Sequence, residues 1–505
     1  MADTIDQLIR DRAQRYGDKP MVIDTETRTS YAELDDTTRA IAAAFIDAGV
    51  GKGARIGLIM PNCVRWVQIA VALTRIGAVL VPLSTLLRPP ELVAQLRAAS
   101  VQALIAVEEF RGHRYVDDVA DMIGTTELPA LQKVWTPPQL VAARGDQKVE
   151  ARAAVVTPSD TLVIMFTSGS SGPPKGVIHS HGNALGAVRS GLAARCIDAD
   201  TQLYLPMPFF WVGGFGSGVL SVLLAGATLI TEEIPRPETT LRLLERERVT
   251  LFRGWPDQAE ALARQSASGE ADLSALQPGS LEALLPPEQR AEPGALAKLF
   301  GMTESFGPYC GYRADTDMPR SAWGSCGKPF DGMQLRIVDP DTGEPVPAGT
   351  IGMIQLRGPH MMRGICRRSR EQLFTPDGYY PTGDLGHLDD DGFMFYHGRS
   401  DDMFKVSGAT VYPSEVEQAL RTIDGVENAF VTEVDGAVGA VAISGRIIDD
   451  LRAAARKRLS AFKVPTVWLL VETDDVIPRG TTGKVDVRRL REMLIRTGTA
   501  SKIWK

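Results

Sequence analysis

Cysteine is scarce in this chain. Its 505 residues include only five cysteines, an odd number, and they are scattered without a Cys-x-x-Cys pair. Neither a disulfide framework nor a zinc site is indicated, and we therefore expect a reducing, cytoplasmic environment. The first residues also lack a basic stretch followed by an apolar run, so no secretion signal is visible.

Long apolar runs and an excess of positive charge are lacking too. The one long uncharged segment, 201–231, is interrupted by two prolines and five glycines. A membrane-spanning helix needs about 20 apolar residues in a row, so we expect this segment to form core strands and a helix, and we expect no transmembrane segment. A formal net charge of −7 argues against broad nucleic-acid binding.

The length and the hydrophobic pattern indicate more than one domain. A chain of 505 residues exceeds the usual size of a single core. Apolar strands at 55–60, 78–82 and 102–107 alternate with helical patterns near 64–75 and 90–98. Such alternation predicts a parallel sheet covered by helices.

The pattern changes later in the chain. Between 334 and 356 the apolar period becomes two, which predicts an antiparallel sheet. Beyond Arg399 come short strands and helices of a compact α+β unit. We therefore predict an α/β fold with a large N-terminal lobe, 1–398, of helix-covered mixed or parallel sheets plus an antiparallel β subdomain, and a small C-terminal domain, 399–505.

One loop combines residues that suit phosphate binding. The run Thr167-Ser168-Gly169-Ser170-Ser171-Gly172-Pro173-Pro174-Lys175-Gly176 follows an apolar strand. Glycines let the backbone approach an anion, hydroxyls donate to it, and the lysine adds charge. The Walker ATP-binding loop is excluded, because Gly169 and Gly172 are too close together and Gly176, not Ser or Thr, follows Lys175.

Four further motifs follow this loop in the chain. They are Phe300-Gly301-Met302-Thr303-Glu304, Tyr380-Pro381-Thr382-Gly383-Asp384-Leu385, the stretch from Gly398 to Gly408, and Pro478-Arg479-Gly480-Thr481-Thr482-Gly483-Lys484. In content, order and spacing the five motifs resemble those of the adenylate-forming superfamily, which holds acyl-CoA synthetases, peptide-synthetase adenylation domains and luciferases.

The resemblance implies an ATP site. Glu304 would help to hold Mg²⁺, Phe300 would stack on adenine, and Asp384 would accept the ribose hydroxyls. The residues that the resemblance places at ATP or AMP are Thr167, Ser168, Gly169, Ser170, Ser171, Gly172, Lys175, Phe300, Gly301, Met302, Thr303, Asp384 and Arg399.

The resemblance also implies a two-step reaction. A carboxylate attacks the α-phosphate of ATP to give an acyl-adenylate and pyrophosphate, and the thiol of coenzyme A then displaces AMP. Lys484 is the predicted catalytic lysine, acting with Thr303 and Glu304. Asp401 would be the hinge of a mobile C-terminal domain, and the thioester-step residues would be Lys405, Ser407 and Gly408.

Two segments depart from the family pattern. Trp211 stands where many members have His, in a segment with Val212, Gly213 and Gly214 that we predict to line the acyl pocket. The region 284–294 lacks the Gly-Gly-Ala loop that contacts adenine and substrate in many members, so those contacts are not carried over.

These observations predict an ATP-dependent, AMP-forming acyl-CoA synthetase with Mg²⁺ and coenzyme A. Its substrate would be a carboxylic acid with a sizeable apolar body. A fatty acid is the first expectation, and a steroid-derived, alicyclic or aryl acid is the second. A ligase that loads a carrier protein and a nucleotide-binding regulator are the alternatives, and assembly as a homodimer is left open.

Overall fold

The chain packs into two compact units. The computed structural model of the protein describes residues 3–140, 145–167, 174–266, 271–400, 403–406, 409–479, 485–497 and 503–504. The first unit comprises 1–334 and 357–378, and the second comprises 335–356 and 379–505. The domain boundary that we predict at 398/399 lies inside the second unit, and a separately moving domain from Arg399 onward stays a prediction.

The strands, in chain order, are β1 (Pro20–Ile23), β2 (Arg28–Ser30), β3 (Arg55–Ile59), β4 (Val79–Pro82), β5 (Ala103–Ala106), β6 (Lys133–Trp135), β7 (Thr161–Thr167), β8 (Lys175–Ser180), β9 (Gln202–Tyr204), β10 (Thr228–Ile230), β11 (Leu251–Phe252), β12 (Phe300–Met302), β13 (Gly307–Gly311), β14 (Lys328–Pro329), β15 (Gln334–Val338), β16 (Gly352–Arg357), β17 (Gly364–Ile365), β18 (Tyr380–Leu388), β19 (Met394–Arg399), β20 (Phe404–Val406), β21 (Ala409–Val411), β22 (Val426–Val434), β23 (Ala437–Ser444), β24 (Val467–Val471) and β25 (Ile503–Trp504).

The α-helices are α1 (Ile5–Tyr16), α2 (Tyr31–Asp47), α3 (Val64–Arg75), α4 (Pro89–Ala99), α5 (Asp146–Ala153), α6 (His181–Ser190), α7 (Val212–Gly214), α8 (Ser221–Ala225), α9 (Pro237–Arg246), α10 (Pro256–Ser266), α11 (Pro413–Arg421), α12 (Ile448–Arg456) and α13 (Val487–Thr497).

A seven-stranded sheet forms the centre of the first unit. Its order is β17-β8-β7-β4-β3-β5-β6, and the strands from β7 to β6 run parallel. β4 is buried along its whole length, as expected for a strand covered on both faces. The predicted alternation of strands and helices between 55 and 107 is confirmed, because each predicted element lies within one or two residues of an observed one.

A second sheet of the first unit has the order β11-β9-β10-β1-β2. It confirms the interpretation of 201–231 as core, because this segment folds into β9, a helix and β10. The helix is α7 and α8 joined by a π-helical turn, Phe215–Leu220. Within the described ranges, no helix combines the length and the apolar character needed to cross a bilayer.

A buried arginine ties the N-terminal helices of the first unit together. Arg75, at the end of α3, is fully buried, and its Nη2 lies 2.7 Å from Asp6 Oδ1 on α1 and 2.8 Å from Asp35 Oδ1 on α2. Its Nη1 donates to Thr38 Oγ1 at 2.7 Å. Two carboxylates and a hydroxyl thus balance one buried guanidinium. α2 begins at the predicted Ser30–Glu33 capping box.

The second unit contains an antiparallel sheet and the C-terminal α+β segment. The first sheet has the order β15-β16-β18-β19, and the Asp389–Gly392 turn joins β18 to β19. The C-terminal sheet, β22-β23-β24-β25, is accompanied by α11, α12 and α13. The antiparallel sheet confirms the period of two in 334–356. The fold as a whole is the predicted α/β architecture.

Candidate active site

The predicted phosphate loop connects two antiparallel strands of the first unit. β7 ends at Thr167 and β8 begins at Lys175, and these two residues lie opposite each other in the register. The residues between them that we predict to bind phosphate, Ser168, Gly169, Ser170, Ser171 and Gly172, lie outside the described residues. The flanking residues thus place the two ends of the loop side by side at one end of the seven-stranded sheet.

The Thr-Glu motif forms a tight turn between β12 and β13. Thr303–Ser305 is one turn of 3₁₀-helix, and Phe306 follows it with φ 54°, in the left-handed region. Gly301 is required here, because a Cβ at this position would lie 2.2 Å from the carbonyl oxygen of Gly307. Glu304 is buried, with 8% of its surface exposed. Phe300, the predicted adenine contact, packs edge to face on Tyr309.

Two elements distant in sequence hold the carbonyl groups of this turn. The Nε2 of His179, on β8, lies 2.8 Å from the carbonyl oxygen of Thr303. The backbone N–H of Met362 donates to the carbonyl oxygen of Glu304 at 2.8 Å. Burial lowers the pKa of His179 to about 3, so its imidazole is neutral. β7 also packs against the turn, which brings the phosphate hairpin and the Thr-Glu motif together.

The predicted acyl-pocket segment lies against the same turn. Trp211 precedes α7, and a Cβ on Gly216 of the following π-helical turn would lie 3.2 Å from Phe306 Cε1. Gly214 accepts no side chain, because its Cβ would lie 2.0 Å from the carbonyl oxygen of Pro208. Helix α7 begins here and consists of Val212, Gly213 and Gly214.

A second tryptophan stands beside the first. Trp255, just before α10, meets Trp211 edge to face, with ring centroids 6.1 Å apart and an interplanar angle of 89°. Trp255 is 38% exposed and Trp211 is partly buried. Sequence reasoning missed Trp255, because 44 residues separate the two side chains and no local pattern relates them.

In the second unit, two of the predicted nucleotide residues are paired. Asp384 on β18 lies opposite Arg399 on β19, and Arg399 Nη1 is 3.3 Å from Asp384 Oδ1 and 2.9 Å from the carbonyl oxygen of Thr382. Thr382 Oγ1 accepts from the Asp384 N–H at 3.0 Å. The Asp384 side chain is 10% exposed and that of Arg399 is 40% exposed, so part of the guanidinium faces solvent.

Comparison with known proteins shows the family of the chain. Residues 9–366, more than two thirds of the chain, match the AMP-binding enzyme family. The chain belongs to this family. It is an enzyme of the acid–thiol ligase class, an ATP-dependent acyl-CoA ligase that works through an acyl-adenylate. The alternative of a regulator without turnover is therefore set aside.

The relatives cover nearly the whole chain. The 3-[(3aS,4S,7aS)-7a-methyl-1,5-dioxo-octahydro-1H-inden-4-yl]propanoyl:CoA ligase of Mycobacterium tuberculosis is 32% identical over 97% of this chain and 98% of its own length. The feruloyl-CoA synthase of an Amycolatopsis species is 31% identical over 92% and 94%. In structure, the anthranilate CoA ligase AuaEII in complex with anthranoyl-AMP matches 98% of this chain and 97% of its own, with a TM-score of 0.80 and 23% identity.

Several predicted residues of this ligase lie outside the described residues. They are Asp401, Ser407, Gly408 and Lys484. Lys405 lies in β20, opposite Thr410 of β21, and its side chain is not among those described. The roles of these residues stay predictions.

The segment that departs from the family pattern forms two short turns. Glu282–Leu284 and Pro287–Gln289 are 3₁₀-helical, and Arg290 Nε donates to the carbonyl oxygen of Leu285 at 2.9 Å. Arg290 thereby bends the segment back on itself. No adenine contact is assigned to it.

Proposed function

We propose that this ligase activates a carboxylic acid whose apolar body is a ring system, either alicyclic or aromatic. The observation that carries the proposal is the Trp211–Trp255 pair, two indole rings at right angles to each other. Trp211 begins the segment whose Gly216 packs against Phe306, the residue after the Thr-Glu turn. Flat aromatic faces suit the rigid surface of a ring. The names of the Mycobacterium tuberculosis and Amycolatopsis relatives, which describe a fused alicyclic acid and a feruloyl group, support the same class.

A fatty acid remains the alternative substrate. A flexible chain would need a long, narrow channel, whereas a ring needs a short and wide pocket. Ring-bearing and straight-chain acids should therefore respond differently to replacement of a tryptophan. A smaller side chain at position 255 would widen the proposed pocket, and we expect this to change activity toward ring-bearing acids more than toward straight-chain acids.

We assign the first half-reaction to the predicted phosphate, Thr-Glu and lysine motifs. The Thr167–Lys175 hairpin would cradle the phosphates, with Thr303 donating its hydroxyl to one of them. The substrate carboxylate attacks the α-phosphorus, a new O–P bond forms, and the bond to the bridging oxygen breaks so that pyrophosphate leaves. The ammonium of Lys484 would offset the charge that gathers on the α-phosphate and stabilise the transition state.

Glu304 fits the way proteins hold Mg²⁺ at a nucleotide. This ion usually takes one or two protein carboxylates and completes its octahedron with phosphate oxygens and water. Glu304 is one buried carboxylate on a 3₁₀-helical turn, and no group of three or more metal-ligating side chains occurs within the ranges that the structure describes. When bound, the ion would neutralise phosphate charge.

The second half-reaction would use the segment after Arg399. The thiol of coenzyme A loses its proton to solvent, its sulfur attacks the acyl carbonyl to form the C–S bond, and AMP leaves with the electron pair of the broken C–O bond. Rotation about Asp401 would remove Lys484 and bring Lys405, Ser407 and Gly408 to the site. AMP is a far better leaving group than oxide, and the acid is therefore adenylated first.

A panel of acids tests the substrate class. Purified enzyme is given MgATP, coenzyme A and matched sets of ring-bearing and straight-chain acids of equal carbon number, and pyrophosphate release and thioester formation are measured separately. We expect kcat/KM to be highest for a ring-bearing acid. A clear preference for straight chains would refute the ring proposal. Pyrophosphate release without thioester would favour a carrier protein as acceptor.

Assembly and location of the enzyme are open to direct measurement. The five free, scattered cysteines support a cytoplasmic location, and a homodimer is the assembly to be tested. Sedimentation of the purified enzyme decides the first, and fractionation of cells decides the second.

A further inference from the structure

His179 is a buried histidine that the reaction outlined above does not use. It lies on β8, is fully buried, and touches no solvent. Its two ring nitrogens both have partners, Asn183 on α6 and the carbonyl of Thr303. Its ring also packs edge to face on Phe306, with centroids 4.8 Å apart. One side chain thus contacts both ends of the Thr303–Ser305 turn.

The partners of Asn183 determine the tautomer of His179. The Oδ1 of Asn183 accepts from the Ser180 N–H at 2.6 Å, so its Nδ2 must be the atom that faces His179. That Nδ2 lies 2.7 Å from His179 Nδ1 and also donates to the carbonyl oxygen of His360. An amide N–H can only donate, so Nδ1 accepts and carries no proton. The proton of the neutral ring is therefore on Nε2, which donates to the Thr303 carbonyl.

The turn needs such support. Phe306 holds a left-handed conformation that costs a non-glycine residue energy, and it persists only where the surroundings determine it. The His179 ring and the Met362 N–H bond the two successive carbonyl groups of the turn, those of Thr303 and Glu304. These two hydrogen bonds therefore hold the backbone that carries the Thr303 and Glu304 side chains.

We propose that His179 is a positioning residue for adenylation: as the Nε2–H tautomer set by Asn183, it orients the Thr303 hydroxyl and the Glu304 carboxylate toward the nucleotide. The proposal rests on the functions proposed above for Thr303 and Glu304. A histidine that merely fills the core would leave the kinetics of the folded enzyme unchanged.

Two substitutions of the same ring separate the roles. His179→Gln places an amide N–H near the position of Nε2, whereas His179→Asn reaches only the position of Nδ1. We expect His179→Asn to lower kcat/KM for MgATP in pyrophosphate exchange by about 10- to 100-fold, as for a slightly misplaced group, and His179→Gln to recover most of it. Equal kinetics of Asn, Gln and wild-type enzymes would overturn the proposal.

The matched control is His181. It is equally buried and two residues away, but its Nδ1 accepts from the Ile5 N–H at 3.3 Å. We expect His181→Asn to lower thermal stability and to leave kcat/KM for MgATP in pyrophosphate exchange unchanged. A fall in kcat/KM in this control equal to that of His179→Asn would mean that any core defect produces it, and the proposal would fail.

The tautomer itself has a spectroscopic signature. With only six histidines in the chain, long-range ¹H–¹⁵N spectra of histidine-labelled enzyme identify His179 by its loss in the variant. We expect an unprotonated Nδ1 and a protonated Nε2. A protonated Nδ1 would contradict the donor assignment.

The Thr303→Ala variant tests separately whether the Thr303 turn itself takes part in adenylation. If Thr303→Ala is as active as wild type, the proposed role of the turn is wrong. If Thr303→Ala is impaired and His179→Asn is not, only the role of His179 falls.

Discussion

Arg399 places its Nη1 between the carboxylate of Asp384 and the carbonyl of Thr382, at 3.3 and 2.9 Å. A Cβ on Gly383 would lie 2.8 Å from Arg399 Nη2, so the backbone here is shaped around the guanidinium. The carboxylate that we expect to receive the ribose hydroxyls is thus oriented by an arginine expected to bind the same nucleotide.

This pairing predicts coupled effects on ATP. Asp384→Asn and Arg399→Gln should each raise KM for ATP by about tenfold, a loss of about 1.4 kcal/mol, because each removes a charge-assisted hydrogen bond. The double variant should lose less than the sum. Pyrophosphate exchange with all four proteins measures the coupling, and strict additivity would show that the two residues act independently.

Lys484 should matter for the first half-reaction only. Lys484→Ala is expected to slow adenylation by about 10²–10³-fold, since it removes a group that acts on charge in the transition state. ATP affinity, measured by calorimetry, should change little. Thioester formation from a supplied acyl-adenylate should persist. Loss of this second activity as well would place Lys484 outside the assigned role.

The tryptophan pair should control acid selectivity. Trp255→Ala and Trp211→Gly are each expected to change the ratio of kcat/KM between ring-bearing and straight-chain acids by about tenfold or more. Trp323→Phe is the control, because its indole N–H bonds to the Met318 carbonyl at 3.0 Å within another segment. If the wild type and all three variants show the same selectivity among acids, both tryptophans have only a packing role.

Arg75 should dominate the stability of the N-terminal helices. Arg75→Met removes the fully buried cation from Asp6 and Asp35, which keep only their partly exposed partners Arg10 and Arg39. We expect this loss to cost about 3 kcal/mol in the free energy of unfolding. Arg39, which bonds Asp35 on the outer side of α2 at 3.0 Å, is the control, and Arg39→Met should cost no more than about 1 kcal/mol. Chemical denaturation measures both, and equal costs would contradict the central position of Arg75.

Local patterns in the sequence determined much of this protein. The Ser30–Glu33 capping box starts α2 as expected, and alternating periods place strands and helices between 55 and 107. The acidic turn Asp389–Gly392 joins β18 to β19. Five short motifs in order were enough to identify the superfamily and the chemistry. Such features depend on neighbours a few residues apart, which a linear sequence displays directly.

Only the tertiary structure decided how these motifs support one another. His179 and Thr303 are 124 residues apart, and Trp211 and Trp255 are 44 apart. His179 lies on β8 of the seven-stranded sheet, whereas Trp211 and Trp255 follow β9 and β11, which are neighbours in the second sheet. In neither sheet does the strand order follow the chain. Sheet order is chosen by the burial of whole faces and not by any single residue. The sequence alone therefore does not distinguish His179 from an ordinary core residue, because its contact with the Thr303 turn exists only in the folded protein.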